Sequence, residues 1–368
     1  MMIKNQKQKQ LKKGIQIIKY DDGSVYKGQI FKNQREGLGI FYFNSEEVYA
    51  GQWKDDQFHG QGTYFFPNGD IYIGQLKKGY KHGNGQYFYN NGNYYQGKFQ
   101  GNVKQGFGLM IYNNNEVYEG NWKKNTKFGE GTYYFQSGDK FVGRFFKGEK
   151  LGHGKLYFKD GSQFNGFWKN DKANGRGILK YQNGDFYEGE FRDGKKKGYG
   201  MLCVDGKKLI YTGQWDEDTM SGTGCCQYEN GDKYIGQFIE GFRDGQGIYY
   251  YKNGSQYEGD WKKNLKQGKG VFKFQDQETM YEGEFSEDQR NGFGIIQFPN
   301  GEKYEGHWQN DYRNGQGTYY FSDKSVYQGE WKNDKMHGKG VLVNNQMDKF
   351  SGVWEYNNIV HIDYNYCC

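Results

Sequence analysis

Proline is almost missing from this chain, with 2 in 368 residues, and long apolar runs are missing altogether. No stretch approaches the ~18 apolar residues that a membrane-spanning helix needs, so no helical span is expected. Aliphatic residues are sparse and the mean hydropathy is −1.09. A thick aliphatic core is therefore excluded. Cysteine is also scarce: Cys203, Cys225, Cys226, Cys367 and Cys368 show no CxxC spacing. An odd count without metal-ligand spacing argues against zinc and against a disulfide framework, and suits reduced thiols in a cytoplasmic setting. Residues 1–20 carry six lysines and no acid, and no apolar run of a secretory leader.

What is abundant is glycine, at 59 residues, and aromatic side chains, with 35 Tyr, 28 Phe and 8 Trp. Polarity this high would ordinarily indicate disorder. Aromatic rings supply large buried areas per residue, however, so a thin fold of rings and glycines is expected. Charge is unevenly placed, with a formal +13 over residues 1–200 and −7 over 201–368. Such asymmetry points to an oriented partner or oriented self-association.

The dominant signal is an internal repeat. One cycle reads aromatic-x-Gly-x-aromatic, then Gly-x-Gly, then a turn. The first glycines recur every 23 residues from Gly28 to Gly189, and two later steps, into Gly213 and Gly283, are 24. The Gly-x-Gly pair follows nine and eleven residues later in fourteen repeats, from Gly37 and Gly39 to Gly338 and Gly340. Each cycle reads as two short strands, because residues i, i+2 and i+4 of a strand share a face. Tyr118, Gly120 and Trp122 then share one face, as do Gly129, Gly131, Tyr133 and Phe135. All eight tryptophans fall two residues after a first glycine. Glycine here is expected to leave room for a neighbouring ring. Asn68-Gly69, Asn91-Gly92 and Asn253-Gly254 suit tight hairpin turns, and the one-residue insertions fall in the same connection.

Tyr-Glu-Gly-Asn-Trp at 118–122 and His-Gly-Lys-Gly at 337–340 resemble the consensus of the MORN (membrane occupation and recognition nexus) family. The resemblance extends over nearly all of residues 14–354. It implies an all-β, elongated single-layer solenoid of stacked antiparallel β-hairpins. Ile30 and Leu76 in the tryptophan slot, and Val204 and Asn344 in an aromatic slot, depart from the pattern. The expected organisation is a basic disordered lead over 1–13, an array over 14–354 and a C-terminal cap or tail over 355–368. Proteins that resemble this one along their whole length, many from protists, are found at cell-division, basal-body, ciliary and cortical structures. A non-catalytic scaffold or spacer is the function this implies. The alternative is a peripheral protein that binds anionic phospholipids or phosphoinositides.

Chemistry-bearing motifs do not emerge. No Gly-x-Gly-x-x-Gly opens a helical segment and no Walker lysine pattern exists, so no cofactor is expected. His59, His82 and His337 share one slot before a glycine and read as turn residues. Glu119, Glu188, Glu258, Glu282 and Glu305 also share a slot, a solvated or partner-facing stripe. Lysines follow the first strand: Lys54, Lys77, Lys78, Lys123, Lys124, Lys147 and Lys169 form a candidate basic edge for an acidic partner. The rings sit at packing positions, which argues against nucleic acid. Cys367 and Cys368 are a candidate lipidation pair. The apolar segment after Trp354 is a candidate homodimer contact.

Overall fold

The computed structural model of the chain describes residues 14–362. The lead over 1–13 and the Cys367–Cys368 pair lie outside the described residues. Those residues form 31 strands and one short 3-10 turn, Asp205–Lys207. They fall into two compact units that divide between Leu179 and Lys180. Within each unit, consecutive strands pair antiparallel. The strand Val117–Lys123, for example, pairs on one side with Thr126–Tyr134 and on the other with Val103–Ile111. The fold is all-β, a solenoid of stacked antiparallel hairpins. In the first unit Gly14–Lys19 pairs with Val25–Phe31. In the second, Asn358–Ile362 pairs with Lys349–Glu355, so pairing continues past Trp354.

Each hairpin closes through a two-residue turn. Lys32 and Asn33 have φ of 51° and 62°, and Asp55 and Asp56 have 48° and 59°. Positive φ at both positions matches the right-handed twist of the flanking strands. The Asn-Gly dipeptides are elsewhere, which corrects the expectation from sequence. Pro67-Asn68-Gly69 is a three-residue loop closed by the Phe66 N–H donating to Asp70 O at 3.0 Å. Such a loop needs one left-handed residue, and Gly69 supplies it with φ +86°. Both one-residue insertions are absorbed in these longer loops. One forms the 3-10 turn, and the other widens the closure to Phe274 N–H on Thr279 O.

Rings and glycines pack as one device. The Tyr118 ring lies over the cross-strand pair Gly120 and Gly131. A Cβ on Gly120 would come within 2.6 Å of both Tyr118 Oη and Gly131 Cα. Only hydrogen at that position lets the ring lie flat on the sheet. The register slips between Gly120 and Trp122, and the Tyr118 hydroxyl donates to the carbonyl of the bulged Asn121 at 2.9 Å. The buried phenol thus satisfies a carbonyl freed by the bulge. The same ring meets Trp122 edge-on at 5.2 Å and Phe145 of the next hairpin at 5.1 Å. Repeated along each unit, this makes a zigzag of rings. Twelve tyrosines in this position are fully buried. Burial raises the Tyr26 phenol to about 12, an effect the nearby Arg35 charge partly offsets.

Candidate partner-binding surfaces

The two faces of the ladder do different work. On the ring face, all eight tryptophans donate Nε1–H to a glycine carbonyl of the preceding hairpin. Trp53 reaches Gly39 O at 3.1 Å, Trp215 reaches Gly200 O at 3.2 Å and Trp354 reaches Gly340 O at 3.3 Å. Three residues after each tryptophan stands Asp or Asn in the two-residue turn. Its side chain accepts a backbone N–H of the preceding hairpin. Asp56 Oδ1 takes Arg35 N–H at 2.7 Å, and Asn125 Oδ1 takes Lys104 N–H at 2.7 Å. A cation usually covers the tryptophan: the Arg290 guanidinium lies 4.2 Å from the Trp308 ring and Lys104 Nζ 4.5 Å from Trp122. These groups are consumed by packing.

Lys104 is the extreme case. It is only 9% exposed, and its Nζ lies 3.3 Å from the Tyr89 hydroxyl. Burial lowers its pKa to about 8, with a smaller push from the Lys81 charge. The neighbouring loops carry Asp70 and Glu116, which accept the Tyr87 and Tyr133 hydroxyls at 2.7 Å. The matching loop position below Lys104 is Asn93, so no carboxylate is at hand. This inner row of cations, seven residues after ten of the fourteen first glycines, was not expected from the sequence, where the lysines at the turn stand out instead.

Lys54, Lys77, Lys78, Lys123, Lys124, Lys147 and Lys169 sit where the first strand ends or in the two-residue turn. All seven are exposed and all lie in the first unit. None forms an ion pair among the described residues. Lys123 and Lys147 lean over Phe128 and Phe146 at 4.8 and 5.6 Å. In the second unit the matching turns are mixed: one carries Asp216 and Glu217, bridged to Lys197 and Lys195 at 3.0 and 2.6 Å, while two others carry Lys262–Lys263 and Lys332. The glutamate stripe lies on the open face, opposite the rings. Glu258 and Glu282 are exposed there. Among the described residues no group of His, Cys, Asp or Glu could hold a metal ion. No described helix is long and apolar enough to cross a membrane. Cys226 is buried at 2% exposure, and burial raises its thiol to about 11, so it is a packing residue.

This ladder of glycine-seated rings defines a β-hairpin repeat protein of the scaffold or binding class. The MORN repeat family matches fourteen times in succession, from residues 26–47 through 118–140 and 211–233 to 327–345. The chain belongs to the MORN-repeat family. No curated protein matches it. Among solved structures, it is similar to the TCP10 domain of Danio rerio CPAP in complex with a STIL peptide. There the TM-score is 0.32 at 12% identity, over 60% of this chain and 93% of that one. The SAS-4 TCP domain of Drosophila melanogaster, bound to a proline-rich motif of Ana2, gives 0.29 at 12%, over 48% and 90%.

Proposed function

We propose that this protein is a non-catalytic scaffold or spacer that binds other proteins along its array. Its setting is a cytoplasmic cytoskeletal, ciliary or basal-body structure. The observation that supports this reading most is the division of labour between residues. Rings, glycines and inner cations are spent on packing, whereas the turn edge of the first unit presents seven exposed lysines with no ion pair. An acidic protein surface is the natural complement of that edge. Imaging a tagged copy beside microtubule and membrane markers tests the reading. Changing the seven lysines to glutamine should release the protein from its structure without changing its circular dichroism. Retention of the variant at the same structure contradicts the assignment of the edge.

The same lysines support a second reading, peripheral binding to an anionic membrane. Each lysine near such a surface is worth about 1 kcal/mol. Pelleting with phosphoinositide vesicles, lost on the same seven changes, would favour the membrane. Absence of pelleting at physiological salt rejects it. A homodimer through the C-terminal end is a further proposal, because Tyr356, Val360 and Ile362 are exposed there at 67%, 56% and 37%.

A further inference from the structure

The open face of the second unit holds a depression of about 680 Å³. Its floor is strand backbone at Gly259, Gly270 and Gly283. Glu258, Asp260, Glu282 and Glu284 rim it, and Phe293 and Ile295 form an apolar wall. Phe293 is 44% exposed. Lys269 is the one cation in the lining.

The acidic charge here is not required by the fold. Asp260 holds the bulge position and its Oδ2 accepts the Lys269 N–H at 3.0 Å. A neutral amide does the same work elsewhere: Gln52 Oε1 accepts the Gln61 N–H at 2.7 Å, and Gln237 Oε1 the Gln246 N–H at 2.8 Å. Glu258 and Glu282 form no hydrogen bond or ion pair among the described residues. They stand in line on alternate strands, each opposite Val271. At ~4.8 Å per strand their backbones are about 9.6 Å apart. Exposed carboxylates about a Debye length apart repel each other only weakly, and with no partner of their own among the described residues both are available to a basic segment. The corresponding depression at the start of the first unit, lined by Ile15, Lys27, Gln29 and Leu38, has no carboxylate.

We infer that this acidic, apolar-walled depression docks the basic segment 1–13 of a second copy, joining copies head to tail. That segment carries Lys4, Lys7, Lys9, Lys12 and Lys13 and no acid, with Met1, Met2, Ile3 and Leu11 as apolar anchors. Lys4 and Lys7, or Lys9 and Lys12, are three residues apart. In a polyproline-II backbone, with three residues per turn, residues so spaced share one side and lie about 9.3 Å apart, close to the spacing of Glu258 and Glu282. The contact differs from C-terminal pairing in being electrostatic, so it weakens with salt.

A charge swap on the full-length chain tests this. One variant carries Glu258→Lys and Glu282→Lys; the other changes Lys4, Lys7, Lys9, Lys12 and Lys13 to Glu. Sedimentation at low salt should show the unaltered protein associating, and each variant alone requiring at least a tenfold higher concentration. Mixing the two variants should restore association, because each then supplies the half the other lacks. High salt should dissolve every assembly. Unaltered protein that stays monomeric at low salt overturns the inference. So do variants that associate as the unaltered protein does, or a mixture that fails to associate. Association through the C-terminal end would be insensitive to all seven changes.

Discussion

Two successive junctions in the second unit differ sharply. At the first, Trp215 donates to Gly200 O at 3.2 Å, Asp218 accepts the Lys196 N–H at 2.9 Å, and Lys196 lies 5.1 Å from the Trp215 ring. At the next, Phe238 replaces tryptophan, Gly241 replaces aspartate and Met220 replaces lysine. Beyond the antiparallel ladder that every junction has, what remains is the ring zigzag and one backbone hydrogen bond at the turn, Gly241 N–H on Met220 O at 2.9 Å. Tryptophan and Asp or Asn occur together in all eight tryptophan hairpins, while Leu76, Phe145, Phe191 and Phe238 have glycine three residues on; Phe99 and Phe285 keep half of the clamp, through Asn102 and Asp288. Nearest-neighbour coupling dominates a solenoid. The array is therefore divided into tightly clamped blocks separated by looser seams.

The largest break is Trp215→Ala. Losing a buried ring and its hydrogen bond should cost about 3–5 kcal/mol. Native-state hydrogen exchange should speed up first in the adjoining strands Lys195–Val204 and Thr219–Tyr228. Unchanged exchange there would show that the slot does not couple neighbours.

Alkaline pH acts on clamped and loose junctions alike through the seated tyrosines. Their folded pKa values are raised by burial, with Tyr26 at about 12. The stability they contribute is complete below the ordinary phenol value of ~10 and is lost as pH rises through the folded values. Lys104 runs the other way. Its pKa is lowered to about 8 by burial, so stability rises between pH ~8 and ~10.5 as the folded state sheds the proton first. Lys104→Met copies Met220 and Met336. It should fold normally and remove the part of that rise that begins near pH ~8, leaving what Lys81, Lys127, Lys150 and Lys266 contribute through their own burial. A melting series from pH 7 to 10 that matches the unaltered protein would assign the early rise to another group.

Smaller changes convert one junction into the other. Trp215→Phe removes one hydrogen bond and should lower stability by ~1 kcal/mol. Gly241→Asn should raise it by about 0.5–1 kcal/mol, since Asn tolerates the φ of +84° and can accept the Met220 N–H. Phe141→Tyr should add a bond to the bulge carbonyl of Arg144 and stabilise by a similar amount. Denaturant midpoints read all three, and a loss on Gly241→Asn would contradict the clamp.

Much of this was legible in the sequence. The 23-residue phase, the ring slots and the glycine seats follow from strand alternation alone. The tryptophan slot is buried as expected. What strand alternation could not show are bonds between hairpins, 14 or 21 residues apart, which depend on where the bulge and the left-handed turn bring two strands together. Their trace was nevertheless present, as tryptophan and Asp or Asn three residues apart. Phe350 shows why the glycine pair matters. It occupies the ring slot, yet it is 38% exposed. Its hairpin pairs Gly352 with Ile362 where the others pair two glycines, and no following slot ring covers it.

Native-state hydrogen exchange across the whole unaltered chain reads the difference between clamped and loose junctions. Opening should be stepwise, with the Phe238–Gly241 and Leu76–Gly79 hairpins exchanging before those holding Trp215, Trp261 and Trp308. A uniform profile, or protection lowest at the tryptophan hairpins, would contradict it.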